Sequence, residues 1–218
     1  MGINNYEEAV AALRETVGSL SGEGPIAVES TAPRFVTDAL ADAGVAVGDA
    51  DPVIDDLRLI KTAEEIALIR RSTSIIEDCV EDLYPVLEIG MSRAELMRTA
   101  RTMLVERGAT GVSHLTFTFG GSNPEIEIAE PLPENRLVTL DLGAIVGGYC
   151  SDNRRYAFTG PLPDEVKGAY ETMVSIVDEV GAMLVPGATH AEIFDRALAL
   201  HDEHGVAPLP RFTHTGHN

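Results

Sequence analysis

The sequence predicts an α+β fold built of two duplicated halves related by a pseudo-twofold, the second of them incomplete. Three features carry this expectation. First, a shift of 97 residues lays Gly90, Ser92, Ala94, Glu95, Leu96, Ala100, Glu106 and Gly108 on Gly187, Thr189, Ala191, Glu192, Ile193, Ala197, Glu203 and Gly205 without a gap. Each copy then reads as a long helix, a glycine turn, a second helix, a glycine stop and a strand-like segment, the pattern of a duplicated unit. Second, Ser92-x-x-Glu95 and Thr189-x-x-Glu192 are capping boxes at equivalent places. Third, the first copy is followed by an alternating hairpin over residues 137–159, whose partner in the second copy falls past Asn218.

Taken in order, residues 5–20 have Ala9, Val10, Leu13 and Val17 at helical spacing. Ser21 to Pro25 breaks the helix, and Ile26-Ala27-Val28 reads as a short buried strand. Arg34 to Ala43 is helical up to Gly44, and the acidic stretch Gly48 to Asp56 reads as loose. A piece of that size is too small for a core of its own, so residues 1–56 are expected to be the remnant of a larger N-terminal α/β domain and residues 57–218 a second domain. Thr62-Ala63-Glu64-Glu65 is a capping box opening a long helix to about Leu87, and the helix from Ser92 stops at Gly108. Gly111 to Gly121 alternates, with Leu115, Phe117 and Phe119 on one face.

Composition narrows the function. Sixteen basic against 35 acidic residues give a net charge of -19, and Lys61 and Lys167 are the only lysines. A surface this negative argues against nucleic acid and anionic membranes, both polyanionic. It resembles the lysine-poor composition of proteins from salt-loving organisms, whose self-repulsion concentrated salt screens. With 44% hydrophobic residues the acids are dispersed through periodic apolar segments, unlike a disordered tail. No run of about 18 apolar residues and no signal-type start is present. Tyr6 stands where a myristoylation motif at Gly2 needs Ser or Thr. Cys79 and Cys150 are too few for a disulfide scaffold. A cytoplasmic protein is the expectation.

The chemical centre is the hairpin Leu137 to Arg155. Centred on the Val146–Gly147 step, it sets Asp141 and Asp152 directly opposite one another, with Cβ atoms roughly 5 Å apart. Two ionised carboxylates that close need a proton, a cation or a metal between them, and two metals about 3.5–4 Å apart would also fit. The alternative is that the aspartates merely decorate strand ends. Thr213-His214-Thr215-Gly216-His217 offers an open histidine, while His114, His190, His201 and His204 read as solvated residues on or near helices.

Leu57-Arg58-Leu59-Ile60-Lys61-Thr62-Ala63-Glu64-Glu65-Ile66, Val138-Thr139-Leu140-Asp141-Leu142-Gly143, Gly148-Tyr149-Cys150-Ser151-Asp152 and Thr215-Gly216-His217 together resemble the pita-bread superfamily of methionine aminopeptidases, prolidases and creatinases, nearest its Xaa-Pro peptidase branch. The resemblance implies a pita-bread fold and a metallo-exopeptidase acting on a peptide or small-molecule substrate. It implies two divalent ions (Mn, Co or Zn) held by Asp141, Asp152 and His217 with two glutamates. It places His214, Glu125 and Arg155 on the substrate side.

Three departures stand out. Both glutamate ligands and the general base are expected beyond Asn218; Glu125 follows Pro124 where the family has a substrate-facing histidine; and Arg154 takes a threonine's place on the face of Asp152, where a guanidinium could replace metal charge. Creatinase works on this fold without metal. A metal-independent C–N hydrolase and a catalytically silent binding domain therefore stay open as alternatives, as does a dimerisation module forming a homodimer through the apolar faces of an unfinished half.

Overall fold

The computed structural model describes residues 6–19, 24–121 and 128–206, and the chain divides into two units, Met1–Leu68 and Ile69–Asn218. In the first, α1 (Tyr6–Ser19) is followed by β1 (Ile26–Val28), α2 (Arg34–Asp42), β2 (Val47–Asp49) and α3 (Asp51–Leu59). Strands β1 and β2 pair in parallel, Ile26 beside Val47, and α2 buries Ala39 and Leu40. Two expectations change here. Strand β1 is half-buried rather than buried. The acidic stretch Gly48 to Asp56 is not loose: it ends β2 and starts α3, because its acids serve the helix start. Asp49 Oδ1 accepts from the Asp51 N–H (2.9 Å), Asp51 Oδ1 accepts from the Ser30 N–H (2.9 Å), and Pro52 suits the first helical turn.

Helix α4 (Ala63–Leu83) opens on its capping box, with the Thr62 N–H donating to Glu65 Oε2 (2.6 Å) and the Glu65 N–H to Thr62 Oγ1 (3.2 Å). It stops four residues before Leu87, because Pro85 cannot continue it and Tyr84–Val86 tightens into a 3-10 turn. Its buried residues Ser72, Ile75, Ile76, Cys79, Val80 and Leu83 recur at three- and four-residue spacing, one stripe facing the core. Helix α5 (Arg93–Glu106) adds Leu96, Ala100 and Leu104.

These two helices cover one face of an antiparallel sheet. Strand β4 (Leu137–Val146) is central, with β3 (Gly111–Phe119) on one edge and β5 (Tyr149–Cys150) and β6 (Asn153–Phe158) along the other. Leu115, Phe117 and Phe119 of β3 and Val138, Leu140, Leu142 and Ala144 of β4 line the buried face, as the alternation predicts. Each such apolar side chain removed from water is worth roughly 1.5–3 kcal/mol, so the sheet's core face is strongly committed.

The fully buried Arg93 ties α5 to the sheet. Its Nε donates to Phe117 O (2.7 Å), its guanidinium lies 4.7 Å from the Phe119 ring centroid, and it pairs with Glu130.

The repeat is present as far as the described residues run. Helix α6 (Asp164–Ala182) stands where α4 stands, and α7 (His190–Glu203) where α5 stands. The two second helices carry the same capping box, Glu95 with Ser92 and Glu192 with Thr189. The second copy's strand-like segment lies outside the described residues beyond Val206. Among the described residues no helix is long and apolar enough to cross a membrane.

Candidate functional site

Strand β4 sends alternate residues to opposite faces. Leu140 and Leu142 enter the core, and Asp141 and Gly143 face the other way. Gly147 and Gly148 both have positive φ (57° and 91°), so the hairpin turns on this two-residue step. That corrects the expected pairing. Val146 faces Tyr149, and Asp141 stands opposite Arg154 rather than Asp152. The slip is two residues, which preserves the face, so Asp141, Asp152 and Arg154 remain together.

The corner between β5 and β6, where Asp152 sits, is held from inside. The Ser151 N–H donates to Ala144 O (3.0 Å), and the Ala144 N–H reaches Ser151 Oγ at 3.4 Å. Ser72 of α4, fully buried, donates from Oγ to Ala144 O (2.8 Å) and lies 2.7 Å from Ser151 Oγ. A helix hydroxyl thus clamps the residue next to Asp152.

The neighbouring strand supplies a third functional side chain. Between Val112 and His114 the β3–β4 register shifts by one residue, a bulge that leaves Ser113 extra and sets His114 beside Gly143. A Cβ at residue 143 would collide with Ser113 Oγ and the His114 ring, so the glycine makes the space the imidazole uses. His114 Nε2 lies 3.3 Å from Asp141 Oδ1 and 3.2 Å from Asp152 Oδ1. Its Nδ1 is 3.2 Å from Ser113 Oγ, which is 3.5 Å from Ser151 O. Exposure rises from Asp141 (14%) through His114 (31%) to Asp152 (41%), so the cluster has a protected end and an open one.

Arg154 completes the group. Its Nε (3.1 Å) and Nη2 (2.5 Å) both donate to Asp141 Oδ2, and these bonds push the guanidinium further toward its charged form. The two oxygens of Asp141 therefore do different things. Oδ2 is neutralised by arginine, and Oδ1 faces His114 and Asp152.

Such a donor set fits a divalent transition metal ion. One imidazole nitrogen and two carboxylate oxygens lie within 4.8 Å of one another in a space that Gly143 keeps open.

The structure brings together Asp141 and Asp152 but not Arg155. That residue lies opposite Leu140 on the other face, where its Nη1 donates to Arg154 O (3.0 Å). Glu125, His214 and His217 lie outside the described residues. Two of the histidines expected to be solvated on or near helices are placed otherwise. His114 belongs to a strand and to the site, and His201 is buried in α7 as part of its apolar stripe with Ile193, Ala197 and Leu200. His190 and His204 are exposed. His114 had a signal in the sequence. If Leu115, Phe117 and Phe119 face the core, strand parity turns His114, Thr116 and Thr118 to the face that carries Asp141.

The sequence profile of metallopeptidase family M24 matches residues 67–218. An uncharacterised peptidase of Staphylococcus epidermidis is 27% identical over 161 residues, which is 72% of this chain and 46% of that protein. An uncharacterised peptidase of Bacillus subtilis is 29% identical over 143 residues, 64% of this chain and 40% of that one. The chain thus spans less than half the length of these curated relatives. Among solved structures, the prolidase of Pyrococcus horikoshii superposes with a TM-score of 0.78 at 23% identity, covering 88% of this chain and 57% of that one. The X-Pro aminopeptidase of Thermotoga maritima gives 0.76 at 21% identity, covering 90% and 58%. These two likenesses establish the pita-bread fold.

Proposed function

The chain belongs to metallopeptidase family M24, and on that premise we propose that it acts as an exopeptidase of the Xaa-Pro aminopeptidase or dipeptidase kind. In this reading Asp141, Asp152 and His217 hold divalent ions (two, of Mn, Co or Zn) together with two further carboxylates. The observation that carries the proposal is the convergence of Asp141 Oδ1 and Asp152 Oδ1 on one point of the sheet's open face. Metal bound there supplies Lewis acidity, polarising a peptide carbonyl and acidifying a water at neutral pH. The chain's own residues set up that chemistry. The Ser72–Ser151 clamp fixes the backbone beside Asp152, and the Arg154 fork fixes the Asp141 carboxylate in one orientation. Half-exposed Asp152 is the open end of the cluster, where a substrate would meet it.

The test is hydrolysis of an Xaa-Pro dipeptide and of a peptide with proline second, against the same peptides with alanine for proline. Each is assayed with Mn2+, Co2+ or Zn2+ and after chelation. Metal-dependent release of the N-terminal residue, abolished in Asp152→Asn, is the expected result. A second reading, a metal-independent C–N hydrolase, has one observation in its favour: Arg154 already neutralises Asp141 Oδ2. Turnover that survives chelation would decide for it.

A further inference from the structure

We propose that His114 is a metal ligand supplied by β3, so that His114 Nε2, Asp141 Oδ1 and Asp152 Oδ1 hold one divalent transition metal ion while Arg154 keeps Asp141 Oδ2 out of its coordination. The inference rests on the metallopeptidase reading and deepens it, because the resemblance assigns the aspartates and His217 but gives His114 no role.

Two of the three spacings suit ligands around a single ion, and all three donor atoms lie within 4.8 Å of one another. Metal–ligand bonds of about 2.0–2.2 Å place neighbouring donor atoms about 3.0–3.6 Å apart. Nε2 stands 3.3 Å from one carboxylate oxygen and 3.2 Å from the other. The imidazole's far side is prepared for the role. Nδ1 lies 3.2 Å from Ser113 Oγ, so an Nδ1–H donated there leaves the Nε2 lone pair directed at the aspartates. A metal-bound histidine ordinarily donates its other ring N–H in this way.

Two backbone features serve this placement. The bulge re-aims residue 114, and the missing Cβ at residue 143 gives the ring its space. The nitrogen donor favours Zn or Co over the all-oxygen preference of Ca and Mg. Arg154 acts in the opposite sense. It is a cation already bonded to Asp141, so it weakens the site's hold on a metal ion and leaves Asp141 with one oxygen to offer.

The test titrates Co2+ into the full chain after chelation and dialysis, following visible absorption and calorimetry, with Asp152→Asn, His114→Ala, His114→Gln and Arg154→Met in parallel. Far-UV circular dichroism and Tm of the metal-free proteins check folding, and His114→Gln keeps the side-chain bulk should His114→Ala fail to fold. The expected result is that the His114 variants lose more than about tenfold in Co2+ affinity, the least that even an outer-shell partner's loss costs, and shift the absorption bands. Arg154→Met should bind about fivefold more tightly, the fold-change that a half-exposed ion pair sets. Folded His114 variants within tenfold of the wild type and with unchanged bands would overturn the proposal, and if Asp152→Asn still lost the metal the metallopeptidase reading would stand. A wild-type chain that takes up no Co2+ would overturn this three-ligand site, while the metallopeptidase reading, which calls on two further carboxylates, is decided by the peptide assays.

Discussion

Replacing Ser72 with alanine is the sharpest structural test of how the site is held. Ser72 is fully buried, and its hydroxyl makes two contacts, donating to Ala144 O at 2.8 Å and meeting Ser151 Oγ at 2.7 Å. Ala144 O keeps a second donor, the Ser151 N–H, so its loss is partial. Ser151 is 7% exposed, and its hydroxyl is left without the partner it had on α4. Two lost bonds, with the Ala144 N–H still reaching Ser151 Oγ at 3.4 Å, sum to about 2 kcal/mol, within the range for unsatisfied buried polar groups. With a urea slope of about 2 kcal/mol per molar, the midpoint should fall by about 1 M at unchanged slope. The chain has no tryptophan, so the transition is followed by far-UV circular dichroism. Ser151→Ala and the double variant close a cycle, and the double should cost about 1 kcal/mol less than the two singles added, because they remove the same bond. A midpoint shift under about 0.2 M, or strictly additive singles, would refute the clamp.

Two further perturbations have definite outcomes. Gly143→Ala puts a Cβ into Ser113 Oγ and the His114 ring, so it should cost about 1–3 kcal/mol of stability by overpacking and also lower Co2+ affinity, read by denaturation and by titration. Burial pushes the Cys79 thiol up to about 11 from 9.0, so the folded chain holds this proton longer than the unfolded one. The stability it confers is therefore whole below pH 9 and falls as pH rises from about 9 to about 11, a slope that Cys79→Val should remove. A thiol reagent at pH 8 should meanwhile count one cysteine, the exposed Cys150, in the native chain and two in denaturant.

What the sequence made legible was whatever a few adjacent residues decide by themselves. The capping boxes at Thr62, Ser92 and Thr189 are complete within four residues each, and all three form. The hairpin is an intermediate case. Its glycines marked the turn, but which step is central depends on both Gly147 and Gly148 adopting positive φ. The resulting slip of two residues changed Asp141's partner to Arg154 and left the face intact, since faces repeat every two residues. Strand parity gives only the face of His114; its role also needs a long-range fact, the pairing of β3 with β4, and a local irregularity, the bulge at Ser113. The acidic stretch 48–56 departs from its expected loop for the opposite reason. Its composition suggests a loop, while Asp49, accepting from the Asp51 N–H, and Asp51 in the first turn favour a helix start.

The same register explains why the aspartates alone are an incomplete account of the site. Placing Arg154 directly across from Asp141 neutralises one carboxylate oxygen through the ladder itself, so the two aspartates and the arginine leave a single net negative charge on this face. The bulge then adds an imidazole nitrogen beside one oxygen of each aspartate, Asp141 Oδ1 and Asp152 Oδ1, which adds a donor without adding a carboxylate. A cluster of this kind repels itself less than two bare carboxylates would and yet keeps one net charge to attract a cation. The chain's surplus of 35 acidic over 16 basic residues works in the same direction at longer range, raising the local concentration of cations over a surface that has no particular residue for them. Charge far from the sheet would thus favour arrival of a metal ion, and on the proposed assignment selection would fall to His114, whose nitrogen distinguishes a transition metal from the Mg and Ca that the same surface would equally attract.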